Sequence, residues 1–200
     1  VTPNLDAKGN VISFNIVSHG SGYLTSPTIT ITDPTTRSGN ANAVISVSGE
    51  STPQGGNGFG RYYAKKVTLA PGNDSGDLRV FYTAYKPVGS DVYVYYRILN
   101  SGDTSTLESQ NWQLMTQIGN QNVYSQNRTD FIEYEWAPGV FGSGLANNNI
   151  SYTSTNGQTY TGATAFIQFA IKLVFSTNDP TKVPVVNDMR AIALPPGTHS

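Results

Sequence analysis

Alternation of side chains with a period of two recurs in segment after segment of this 200-residue sequence. It is clearest in Asp77–Tyr85 and Asp91–Leu99, where an apolar face stands opposite a more mixed one. Period two is the repeat of a β-strand, and one-sided alternation is typical of antiparallel sheets with one face in water. No long amphipathic helix is apparent. The sequence therefore predicts an all-β fold whose main part is an antiparallel β-sandwich of jelly-roll type.

The same alternation predicts which side chains fill the sandwich core: Leu78, Val80, Val92, Val94, Ile98, Ile167, Phe169, Ile171 and Leu173. Tyr93 and Tyr95 fall on the opposite face of their strand, outside this core. We predict that they contact another protein, since tyrosine supplies large contact area at modest entropy cost. Packing within the sheet and stacking against sugar rings are the alternatives. Tyr96, Tyr134 and Trp136 belong to the same group of aromatic residues, for which the same alternatives are open.

A glycine-rich segment divides the chain into a small unit, residues 1–50, and a larger unit, residues 61–200. Between them, residues 51–60 read STPQGGNGFG and indicate a linker or long loop. In the small unit, Lys8-Gly9-Asn10 predicts a hairpin between Val1–Asp6 and Val11–Ser18. A second reversal is expected at four turn residues: Gly20, Gly22, Tyr23 and Pro27. The start at Val1 and the end at Ser200 suggest a segment of a longer protein.

Composition narrows the possible functions. Charged residues make up 12% and the formal net charge is -1, so there is no basic field to attract nucleic acid. No apolar run approaches the roughly 20 residues that a membrane span requires. Cysteine is absent, which removes thiolate metal sites and cysteine nucleophiles. No nucleotide-binding glycine motif is present, and we expect no cofactor.

Catalytic groups are scarce. One of the two histidines, His199, stands next to the C-terminus, and His19 lies in a glycine turn without an acidic neighbour. Glu133 and Glu135 share one face of a predicted strand and could form a glycosidase-like pair, but alternating glutamates also describe an ordinary solvent face. Asn73, Asp74 and Asp77 could offer oxygen ligands to calcium, although Asn and Asp are common in Pro-Gly turns. We therefore expect no enzyme activity and no metal site.

Two stretches resemble structural proteins of tailed phages. His19-Gly20-Ser21-Gly22-Tyr23 followed by Ser26-Pro27-Thr28-Ile29-Thr30-Ile31 resembles a β repeat found in such proteins. Tyr62–Leu194 is similar to a domain in virion structural proteins of T4-like phages, especially those of cyanobacteria; one matching stretch is Val92-Tyr93-Val94-Tyr95-Tyr96-Arg97. The resemblance implies a baseplate, tail-fibre or appendage component, assembled in the host cytoplasm and located in the tail region of the virion.

The expected function is accordingly that of a rigid assembly and connector module. Its expected partners are other virion structural proteins, with self-association possible and with neither nucleic acid nor membrane involved. A carbohydrate-binding module for host-surface glycan is the alternative, and it would need an exposed row of aromatic side chains in a groove. A glycan-cleaving enzyme is a third hypothesis, and it would need a pair of interacting carboxyl groups in a cleft.

Overall fold

A computed structural model describes residues 2–6, 8, 11–15, 49–56, 58, 60–120, 122–138, 150–160 and 166–195. The chain divides into two compact units, Val1–Gly49 and Glu50–Ser200. In the first unit, β1 (Thr2–Leu5) pairs antiparallel with β2 (Val11–Asn15), which is the hairpin that the sequence predicts. The four turn residues Gly20, Gly22, Tyr23 and Pro27 lie outside the described residues.

Two antiparallel sheets make up the second unit. The first contains β3 (Gly60–Tyr63), β4 (Val67–Thr68), β6 (Ser90–Asn100), β7 (Gln113–Leu114) and β12 (Phe166–Thr177). Its order is β3-β12-β6-β7, with β4 also paired to β12. The second contains β5 (Asp77–Tyr85), β8 (Thr116–Ile118), β9 (Ile132–Ala137) and β13 (Val185–Leu194), in the order β13-β5-β9-β8. A separate hairpin joins β10 (Tyr152–Thr153) to β11 (Thr159–Tyr160), and Leu107–Ser109 form a 3-10 turn.

The two sheets contribute to one apolar core, so the second unit is a β-sandwich-like fold. Leu78, Val80 and Tyr82 of β5 enter this core together with Val92 and Val94 of β6. The all-β prediction is confirmed, and so are the predicted inward faces of β5 and β6, because their burial alternates residue by residue. Burial of each such aliphatic side chain stabilises the fold by about 1.5–3 kcal/mol.

Ile167 is the exception among the predicted core residues, since it is only half-buried. The register between β12 and β6 shifts between Phe166 and Gln168, which is a β-bulge. A bulge inserts one residue and changes the face on which the preceding side chains lie. Phe166 therefore enters the core alongside Phe169, and Ile167 does not.

At Met115 the chain passes from one sheet to the other. Leu114 of β7 pairs with Tyr95 in the first sheet, and Thr116 of β8 pairs with Ala137 in the second. The buried Met115 donates its amide hydrogen to the carbonyl of Val94 at 2.8 Å. One lateral flank of the sandwich is thereby closed by a continuous piece of chain.

The described residues of the segment 51–60, for which the sequence predicts a linker or long loop, belong to the compact unit Glu50–Ser200. The boundary between the units falls after Gly49, and the described part of this segment contacts the larger unit. The amide of Trp112 donates to the carbonyl of Ser51 at 2.9 Å. Gly58 donates to the Glu50 carboxylate at 2.8 Å, and a Cβ on Gly58 would lie 2.9 Å from that carboxylate. The glycine at this position permits close approach between two chain segments. From composition alone, a glycine-rich segment would be interpreted as flexible.

Candidate functional site

Tyr93 and Tyr95 are half-buried rather than open to solvent. Tyr95 packs against a second small apolar cluster, made of Leu99, Leu107, Trp112 and Ala170, on the outer face of the first sheet. Tyr93 packs against the main core, and burial raises its pKa to about 12, with the charge of Asp91 acting in the same direction. Much of the surface of Tyr93 and Tyr95 is therefore buried within their own unit and is not available for the predicted interface.

Beside Tyr95 lies a buried ion pair that sequence reasoning missed. Lys172 has no solvent exposure, and its Nζ lies 2.9 Å from Glu50 Oε2 and 2.6 Å from the Glu50 carbonyl oxygen. The same ammonium lies 4.6 Å from the Tyr95 ring centroid and 5.1 Å from that of Trp112. Aromatic faces attract a desolvated cation, so the pocket holds the charge from several sides.

The pKa values of this pair reflect its burial. Burial lowers the pKa of Lys172 below its usual value, and the hydrogen bond and charge of Glu50 oppose that shift only in part. For Glu50, burial acts to raise the pKa, but hydrogen bonds from Lys172, Gly58 and Gly56 outweigh it and leave the pKa lowered. Glu50 and the aromatic rings thus stabilise the Lys172 charge inside the protein, against its burial and the nearby charges of Arg61 and Arg97, which is a structural role.

The glutamates considered for catalysis are engaged in separate ion pairs. Glu133 Oε2 lies 2.7 Å from Arg190, and Glu135 Oε1 lies 3.4 Å from Arg79. As predicted, the two glutamates share the outer face of β9. They border an open groove of ≈ 350 Å³ that is also lined by Phe81. A glycosidase needs a pair in which one carboxyl acts as an acid and the other as a base or nucleophile. Holding each carboxylate with its own arginine does not provide that arrangement.

The aromatic residues considered for sugar stacking are placed mainly in the interior. Tyr96, Tyr134 and Trp136 are all buried in the main core. The carboxylate of the calcium candidate Asp77 accepts a hydrogen bond from the amide of Leu78 at 2.7 Å and lies 3.3 Å from Arg79 Nε. In the described ranges, no group of three potential ligand side chains could hold a metal ion.

A second buried carboxylate, Asp103, is fully occupied by neighbouring donors. It accepts hydrogen bonds from Ser105 Oγ at 2.6 Å and from the Tyr152 hydroxyl at 2.9 Å. Burial acts to raise the pKa of Asp103, but the hydrogen bonds from Ser105, Ser154 and Tyr152 outweigh it and leave the pKa lowered. This cluster fastens the β10–β11 hairpin to the turn after β6 and shows no geometry for chemistry.

The outer edge of β13 has no strand paired to it in the described part of the chain. This ten-residue strand is the last strand of its sheet and pairs only with β5 within the described part of the chain. None of its residues is buried, and Ile192 remains 42% exposed. An edge strand presents unpaired N–H and C=O groups to which another strand can be added.

The other described edges are less suited to strand addition. β7 and β8 have two and three residues, below the usual strand length. β3 and β4 are separated by an interruption that carries Lys65 and Lys66, both exposed, and lysine is a common protection of sheet edges. Only β13 combines length, exposure and continuous pairing from Asp188 to Leu194.

The polar side chains of β13 are arranged on its outer face. The Arg190 guanidinium lies 4.7 Å from the Phe81 ring centroid and 2.7 Å from Glu133, so it is oriented by both. Asp188 is exposed and has no ion-pair partner within the described residues. The sequence alone does not identify β13 as an edge strand, because edge position depends on the order of strands in the sheet.

No family model, curated protein or solved structure matches this chain. In the part of the chain that the structure describes, no helix has the length and apolar character needed to cross a bilayer.

Proposed function

We propose that this chain is a non-enzymatic structural component of a tailed-phage virion and acts as a rigid assembly and connector module. The observation that carries the proposal is the long open edge of β13. Strand addition at such an edge joins two proteins through main-chain hydrogen bonds, and the side chains that meet across the new pair provide specificity. The half-buried apolar residues of β13, including Met189 and Ala191, would be covered by an added strand.

Rigidity is supported by the way in which the unit is fastened together. A packed core joins the two sheets, a second cluster covers the outer face of the first, and the Lys172–Glu50 pair anchors the segment that precedes β3. A module that passes mechanical load between neighbours benefits from closely packed interiors, which have low compressibility.

The virion assignment rests on the resemblance of His19–Ile31 and Tyr62–Leu194 to phage structural proteins. Baseplate, tail fibre and appendage all fit that resemblance. The absence of cysteine agrees with a protein that folds in a reducing cytoplasm before assembly. The separate arginine partners of Glu133 and Glu135 support a role without catalysis.

The test is to substitute Ile192→Lys in the phage that encodes the chain. Ile192 is exposed, so the substitution should change the stability of the fold by no more than about 0.5 kcal/mol. A charged side chain on an edge disfavours strand addition. We expect fewer complete tails in electron micrographs and a lower titre of infectious particles.

Leu114→Lys is the matched control, because Leu114 is 39% exposed on the short edge strand of the other sheet, against 42% for Ile192. Particles carrying this control substitution should assemble normally. Normal assembly of the Ile192→Lys particles would reject the connector function of β13, and equal loss in both variants would show that the effect is not specific to that edge.

A further inference from the structure

We infer that the partner of β13 is the β13 strand of a second copy of this chain, paired antiparallel about a two-fold axis at Met189. This inference rests on the proposed function and identifies the partner at the same edge. The pairing would join two four-stranded sheets of order β13-β5-β9-β8 into one continuous sheet. A two-fold interface uses the same surface on both copies, so each residue that contacts its opposite number is itself contacted in return.

Symmetry limits the possible registers. Rotation about an axis perpendicular to the sheet keeps the core-facing side of each copy on the same side. Directly opposite residues in an antiparallel pair also point to the same face. A residue on the core-facing side, such as Met189 or Ala191, must therefore stand opposite another core-facing residue. This requirement leaves axes that pass through single residues, among them Asp188, Met189, Arg190 and Ala191.

Charge selects among these registers. An axis at Asp188 or at Arg190 would place like charges directly opposite each other, which destabilises a strand pair. An axis at Met189 places Asp188 of each copy opposite Arg190 of the other and creates two complementary pairs. An axis at Ala191 gives no such pair, because Arg190 would then face Ile192. The strand is thus complementary to itself in one register and repulsive in the neighbouring registers.

The Arg190 guanidinium is exposed on the outer face of the sheet, where it lies 4.7 Å from the Phe81 ring centroid on β5 and 2.7 Å from Glu133 on β9. Both contacts lie on the side of β13 away from its free edge, so pairing with Asp188 of the second copy requires the exposed side chain to turn towards that edge. On the opposite face, Met189 would meet the Met189 of the second copy, and its flexible thioether can adapt to an imperfect fit.

Charge exchange provides the decisive experiment. Asp188→Arg and Arg190→Asp are prepared separately in the 200-residue chain, and association is measured by sedimentation velocity over a range of concentrations. The unchanged chain should form a dimer. Each variant alone places like charges opposite each other at both positions. Its dimer dissociation constant should therefore be at least about tenfold higher than that of the unchanged chain. An equal mixture should regain dimerisation, because the mixed pair places Arg opposite Asp at both positions.

Cysteine cross-linking tests the register independently and does not require the charge variants to fold. The chain has no cysteine, so a single introduced thiol reports on one position. Directly opposite Cα atoms in an antiparallel pair lie about 4.5–5.5 Å apart, within the range of a disulfide. Met189→Cys should give a covalent dimer under mild oxidation. Ala191→Cys is the matched control and should not form a covalent dimer, since the two Ala191 residues are not opposite each other in this register.

A monomeric unchanged chain, or a mixture of the charge variants that does not recover dimerisation, would overturn the inference. Preferential cross-linking of Ala191→Cys would overturn the Met189 register. These outcomes are separate from failure of the proposed function. If Ile192→Lys blocks particle assembly while the chain is monomeric, the partner is wrong and the connector function stands. If the chain dimerises but Ile192→Lys particles assemble normally, the connector function is wrong.

Discussion

Neutralising one member of the Lys172–Glu50 pair should destabilise the larger unit strongly. Lys172→Met keeps the length of the side chain but removes both hydrogen bonds that Nζ donates to Glu50. Hydrogen bonds that involve a charged group contribute about 1.5–3 kcal/mol each, so two account for about 3–6 kcal/mol. In other proteins, removing one partner of a buried ion pair lowers the free energy of unfolding by about 3–5 kcal/mol, in agreement with this figure. We therefore expect the free energy of unfolding to fall by about 3–5 kcal/mol for Lys172→Met or for Glu50→Gln.

The double substitution should cost much less than the sum of the two single ones. Once both charges are absent, no uncompensated charge is left inside the protein, and neutral replacement of a buried pair is often close to neutral in stability. The exposed pair Lys66–Glu108 is the control, because its N–O distance of 2.9 Å equals that of Lys172–Glu50. Glu108→Gln should cost no more than about 1 kcal/mol.

Urea unfolding followed by tryptophan fluorescence is a suitable assay, since the Trp112 ring lies 5.1 Å from Lys172 Nζ. With a denaturant slope of about 2 kcal/mol per molar, the single variants should unfold at about 2 M lower urea. If Lys172→Met and Glu50→Gln unfold at the same urea concentration as Glu108→Gln, the pair does not contribute as described and the segment after Gly49 is not anchored to the sandwich.

Two further predictions concern the core and its tyrosines. Leu173→Ala should lower the free energy of unfolding by about 2–5 kcal/mol, whereas Ile167→Ala, at the half-buried bulge position, should cost under about 2 kcal/mol; equal losses in urea unfolding would contradict the bulge. Burial raises the pKa of Tyr93 and of Tyr134 from 10.0 to about 12, so the stability that they contribute is complete below pH 10 and is lost as the pH rises towards 12. The midpoint of thermal unfolding should fall over that pH interval. The lowered pKa of Lys172 acts in the opposite direction, but only at pH values below its ordinary pKa of 10.5. An unchanged midpoint would mean that the tyrosine hydroxyls are open to water.

Local alternation was sufficient to predict most of the fold. The inward faces of β5 and β6 follow from period two alone, because burial depends there on the face and not on the partner strand. The same reasoning fails at Ile167, where a bulge changes the phase of β12 without any glycine or proline to mark it.

The long-range features could not be predicted from local pattern. Lys172 lies on the outward face of its strand, where a lysine normally reaches water, and the partner that permits its burial is 122 residues away in sequence. Tyr95 becomes half-buried for the same reason, since the chain around Trp112 folds over that face. The open edge of β13 depends on which strand ends the sheet, and alternation does not contain that information.

The sheet change at Met115 limits how far strand pairing can enlarge an assembly. At that flank each sheet ends in a strand of two or three residues, which leaves β13 as the one long edge in the described part of the chain. A two-fold pair uses this edge in both copies at once, so association stops at two. A head-to-tail contact would instead leave a free edge at each end and could continue into a fibre. The closed flank would therefore make the proposed two-fold association through β13 self-limiting.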